Sequence, residues 1–91
     1  MRLHRISVML NQRPKKRSLT LRGHRTSVSL EDAFWVEFRQ LARQQNRAIN
    51  ELAAEIDEAR GTDCGLASAI RLFVLQALQH KLGQQDSPAP D

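Results

Sequence analysis

The chain has 91 residues, 41% of them apolar, with 14 Lys and Arg against 10 acids for a net charge of +4. That allows one small domain, and no apolar run approaches the roughly 18 residues needed to span a bilayer. A single cysteine, Cys64, excludes an internal disulfide and a Cys-pair zinc site, and the scattered His4, His24 and His80 have no metal-ligand spacing. No Gly-rich phosphate loop and no nucleophile–base constellation is present, so neither catalysis nor a cofactor is expected.

The charge is unevenly spread. Eight of the 14 cations and none of the acids lie in residues 1–25. This reads as a basic arm on a mildly acidic body, and the commonest polyanion such an arm meets in the cytoplasm is nucleic acid. Residues 1–17, which include Pro14, Lys15, Lys16 and Arg17, are predicted to form that flexible arm. Their apolar stretch "ISVML" is too short for a signal-peptide core, which predicts a cytoplasmic protein without membrane contact, nucleoid-associated where that nucleic acid is DNA.

The next segment, "SLTLRGHRTSVSL" at residues 18–30, alternates twice around Gly23, where a bulge or bend is expected. A strand is predicted over about 24–30, with a reach back towards residue 18. Ser29 suits a helix N-cap, with Glu31 and Asp32 in the first turn. The first helix is predicted over about 31–45, with Phe34, Phe38, Leu41 and Ala42 as its apolar stripe and Trp35 alongside. Asn46 suits the left-handed residue of a tight turn. Ile49, Leu52, Ala53 and Ile56 then mark a second helix over about 48–60, stopped by Gly61.

Thr62 or Asp63 can cap a third helix over about 66–82. Its face of Leu66, Ile70, Phe73, Val74, Ala77 and Leu78 is widened by Leu72 and Leu75, which predicts burial on two sides. Arg71, within this helix, is expected to pair with Glu55 or Glu58, or to reach solvent along its stem. Residues 83–91 are predicted to be a disordered tail, leaving 18–82 as the domain. The fold class is mainly α with one short β-strand and three helices.

A lone strand leaves its N–H and C=O groups unpaired. The predicted partner is therefore the same strand of a second copy, in an antiparallel two-stranded ribbon across a homodimer. Thr26, Val28 and Leu30 would cover the helices, and Arg25, Ser27 and Ser29 would face outward. Such a ribbon fits the major groove of B-form DNA, where Arg and Ser contact base edges.

With "GHRTSVSLEDAFW", "AEIDEAR" and "LASAIRLFVLQAL", the chain resembles the ribbon-helix-helix family of bacterial DNA-binding proteins, in particular short members with a third helix. The resemblance spans about residues 18–80. It implies a sequence-specific double-stranded DNA-binding protein, a repressor-like regulator of transcription acting as a homodimer, with room for higher assembly on DNA. Base contacts would fall on Arg25, Ser27 and Ser29. A phosphate anchor would fall at the start of the second helix, on Ala48 and Ile49 with Asn50 close by; His24, Arg22, Arg47, Lys15, Lys16 and Arg17 are further candidates for phosphate. The family often has Gly where this chain has Asn46, and Ser or Thr where it has Ala48. The alternative reading is an antitoxin-like or other protein-binding module whose third helix engages a partner protein.

Overall fold

The computed structural model describes residues 12–85 of the chain. Most of the basic arm, residues 1–11, and the end of the tail, residues 86–91, lie outside the described residues. Two strands and three helices follow in order: β1 (Lys15–Leu21), β2 (His24–Leu30), α1 (Asp32–Gln44), α2 (Ile49–Ala59) and α3 (Leu66–Gln85). The sheet begins inside the segment expected to be arm, because Lys15, Lys16 and Arg17 belong to β1.

The expectation that no second strand exists within the chain is corrected. β2 pairs antiparallel with β1, from Leu21 opposite His24 to Lys15 opposite Leu30. What makes this hairpin is the two-residue link. Arg22 and Gly23 both have positive φ, 51° and 87°, as a type I′ turn requires, and such a turn matches the twist of the strands it joins. Gly23 is thus half of a turn rather than a bulge.

Alternation sorts the hairpin into two faces. Leu19, Leu21, Val28 and Leu30 are buried, and with Phe38, Leu41 and Ala42 of α1, Leu52, Ala53 and Ala54 of α2, and Ile70 and Val74 of α3 they form one core. Thr26, expected to cover the helices, is exposed near the turn. Phe73 meets the Phe38 ring edge-on, with 6.2 Å between centroids, and Trp35 tilts against it at 6.3 Å. The aromatic residues of α1 are therefore packing groups, as their spacing predicts.

The start of α1 is held by other means than expected, and its end by the left-handed Asn46 that the sequence predicts. Ser29 lies in β2 and is no cap; Glu31 holds the N-cap position without a side-chain cap bond. The free Ala33 N–H instead donates to Oε1 of Gln12 at 3.0 Å, which ties the strand's lead-in to the helix. At the other end Asn46 adopts φ 55°, and Arg47 N–H reaches back to the Ala42 carbonyl at 2.9 Å while Asn46 N–H donates to Arg43 at 3.0 Å. That is a Schellman turn closed by Asn in place of Gly.

Gly61, at φ 73°, follows α2 as the sequence predicts. Neither Thr62 nor Asp63 starts α3: the Gly65 carbonyl accepts the first helical bond, from Ala69. The helix runs three residues past its predicted end. Arg71 meets neither Glu55 nor Glu58. Its guanidinium donates to both carboxylate oxygens of Glu31, at 2.9 and 3.1 Å, and to the Ser29 carbonyl at 3.3 Å. Sequence spacing compared acids on the neighbouring helix, whereas packing brings α3 across the end of β2.

Candidate nucleic-acid interface

The outward face of the hairpin is built by the period of two. On it lie three cross-strand pairs: Lys16 opposite Ser29, Ser18 opposite Ser27, and Thr20 opposite Arg25. All six residues are exposed, and none is an acid. Neither Arg25 nor Lys16 has a hydrogen bond or ion pair with any described residue. Free cations beside hydroxyls on a narrow two-stranded ribbon can contact phosphate oxygens and base edges.

The structure brings Arg25, Ser27 and Ser29 together on this face as the alternation predicts. Sequence reasoning missed their neighbours Ser18 and Thr20. The signal was present, since Ser18 and Thr20 alternate with Leu19 and Leu21 inside the predicted domain, but without the turn at Arg22 and Gly23 nothing placed them beside β2.

The other basic candidates are distributed differently. Lys15 and Arg17 occupy the opposite face of β1. Both hydrogen-bond Asp32 at the start of α1, and Arg17 also donates to the Leu30 carbonyl and lies over the Trp35 ring, 5.5 Å from its centroid. The Asp32 carboxyl is held below its ordinary range, chiefly by the hydrogen bond from Arg17 and then by that from Lys15. Arg22, in the turn, hydrogen-bonds Glu58 of α2. Arg47 is half-buried and donates to Glu55 at 2.7 Å, which lowers the Glu55 pKa and raises that of Arg47. His24 is exposed beside the turn.

The N-terminus of α2 stands at the outer edge of β1. Ala48 holds the N-cap position, where it has no side chain that can cap, and the first helical bond runs from Leu52 to Ala48. Asn50 turns to the hairpin: its Oδ1 accepts the Thr20 N–H at 3.1 Å. Ala48, Ile49 and Asn50 thus lie next to the exposed face, where the positive end of the helix dipole can support an anion.

Among the described residues no His, Cys, Asp or Glu cluster could hold a metal ion, and no helix is long and apolar enough to cross a membrane. A family model described as a ribbon-helix-helix domain matches residues 14–78, which covers both strands, the first two helices and most of the third. No curated protein and no solved structure matches the chain.

Proposed function

The chain belongs to the ribbon-helix-helix family, and from that premise we propose that it is a sequence-specific double-stranded DNA-binding protein that regulates transcription as a repressor. Ribbon-helix-helix proteins are typically non-enzymatic, DNA-binding and dimeric. One observation carries the reading: the six outward residues of the hairpin are Lys, Arg, Ser and Thr without an acid, while Glu55, Asp57 and Glu58 of α2 pair with other cations.

In this reading Arg25, Ser27 and Ser29 contact base edges. Phosphates are met by Lys16, by His24 and by the α2 N-terminus at Ala48, Ile49 and Asn50. Lys15, Arg17, Arg22 and Arg47 add to the local field, but each must first leave an acid to reach DNA. The partner copy joins along the outer edge of β2. The pair flanking a two-residue turn is hydrogen-bonded, so the N–H and C=O groups of Arg25, Ser27 and Ser29 point away from β1. Only the Ser29 carbonyl meets a described residue, Arg71. A bare edge of this kind is a template for a second strand. Two β2 strands side by side would place both copies of Arg25 on one groove, at symmetric half-sites.

The test uses a duplex selected by the protein from random sequence and a scrambled duplex, at one salt concentration. An Arg–guanine pair contributes roughly 1–3 kcal/mol of discrimination. Arg25→Ala should therefore keep the thermal stability and lower the selected-to-scrambled affinity ratio by about tenfold or more. If both affinities stay unchanged, the hairpin does not read DNA.

A second reading, the partner-binding module, draws on α3, whose Leu72, Leu75 and Leu82 remain 50%, 48% and 58% exposed. Under it, Leu72→Asn with Leu75→Asn leaves DNA affinity intact. If these leucines instead serve the homodimer, the same pair weakens dimer and DNA binding together.

A further inference from the structure

The in-chain hairpin changes what a homodimer would lay on DNA. Two chains joined through the outer edges of β2 make a four-stranded sheet, in the order β1, β2, partner β2, partner β1. Strands in a sheet lie about 4.8 Å apart, so each β1 is roughly 7 Å from the twofold axis. The major groove is about 12 Å wide, which places its walls about 6 Å from the same axis. The central β2 pair fits the groove, and the β1 strands fall above its walls, where the phosphates are.

The exposed row of β1 has the chemistry for that position. Lys16, Ser18 and Thr20 all share the outward face with Arg25, Ser27 and Ser29. The Lys16 side chain is unpaired among the described residues. An ammonium and two hydroxyls donate to phosphate oxygens without preferring a sequence. The row is also held in place, because Asn50 fixes the Thr20 amide and so ties this edge of the sheet to the N-terminus of α2.

We infer that β1 is a phosphate-contacting rail, with Lys16, Ser18 and Thr20 gripping the DNA backbone on either side of the groove read by β2. The inference rests on the DNA-binding reading above and on pairing of the chains through β2. It assigns the two strands of one hairpin to different tasks: β2 sets sequence preference, and β1 supplies affinity and register.

The experiment compares wild type, Arg25→Ala and the triple variant Lys16→Met, Ser18→Ala, Thr20→Val, whose replacements keep approximate shape and leave the backbone bond to Asn50. Thermal melts establish that each variant folds, and Lys16→Met alone replaces the triple should that one fail to fold. Affinities for the selected and scrambled duplexes are measured over a salt series. The triple variant should weaken both by a common factor of about ten or more, leaving their ratio intact. Loss of one cation per chain should reduce the slope of log affinity against log salt by roughly 1.8 per dimer. Lys16→Met alone should give the same slope change.

A collapse of the ratio in the triple variant would overturn the inference, because β1 would then be reading bases and a single-chain hairpin would itself be the groove ribbon. Unchanged affinity for both duplexes would overturn it too, with β1 clear of the DNA. The Arg25→Ala arm separates these failures from failure of the functional reading, since that variant must lose discrimination if β2 reads DNA at all.

Discussion

Arg22 shows how much one residue can hide. Non-glycine residues avoid positive φ, yet Arg22 sits at 51° in the first central position of the turn. Its guanidinium is bound to Glu58, which raises its pKa above the ordinary value, but both groups are well exposed and such pairs stabilise little. The backbone cost should therefore outweigh the ion pair. Arg22→Asn, which creates the Asn-Gly sequence favoured in type I′ turns, is expected to raise stability by about 0.5–1 kcal/mol. Chemical denaturation checks this, and a decrease would mean that the Glu58 pair outweighs the relieved backbone. The same residue explains why the hairpin was hard to read. Arg-Gly is a poor advertisement for a turn that Asn-Gly announces clearly.

At the level of elements, the helices were legible because burial repeats through them at helical spacing. Phe38, Leu41 and Ala42, then Leu52 and Ala53, then Ile70 and Val74 are buried in three successive helices and lie on the predicted stripes; Ala54, also buried, lies off its predicted stripe. β1 was not legible as a strand in its own right, since only Leu19 and Leu21 mark its inward side and the inward Arg17 looks like arm charge. Arg17 is there because its stem and guanidinium pack over Trp35 and reach Asp32, a contact that only the tertiary structure creates. Arg71 was misassigned for the same reason.

The two edges of the hairpin also differ. β1 is met by Asn50, while the outward backbone groups of Arg25 and Ser27 in β2 meet no described residue. Ser27→Pro should therefore leave the hairpin ladder and the helical circular dichroism in place, because the lost N–H points outward. Sedimentation equilibrium should show the dimer shifted to monomer. A variant that dimerises as well as wild type would place the contact between chains elsewhere.

For the molecule as a whole, the described part carries its charge in sorted form. α2 presents Glu51, Glu55 and Glu58 at helical spacing, and two of these bind Arg47 and Arg22. The hairpin's outward face keeps Lys16 and Arg25 unpaired among the described residues, so their charge is not spent within the fold. The outward triad of Arg25, Ser27 and Ser29 was legible from sequence because alternation alone fixes a face. The neighbourhood of the α2 N-terminus was not, because Asn50 and Thr20 are thirty positions apart in the chain and only folding joins them.

The Arg22-Gly23 turn has a kinetic consequence. Because both strands come from one polypeptide, closure of the ribbon is a first-order event that needs no encounter with another molecule. Hairpins close in about 1–10 μs, and association follows on a slower, concentration-dependent scale. Refolding from denaturant, followed by Trp35 fluorescence, should have a main phase whose rate is unchanged over roughly a hundredfold range of protein concentration. A dominant bimolecular phase would show that the chains fold only together. With first-order folding, a pair of chains joined through β2 would separate on dilution into monomers that keep their structure, so loss of assembly and loss of fold would be distinct events.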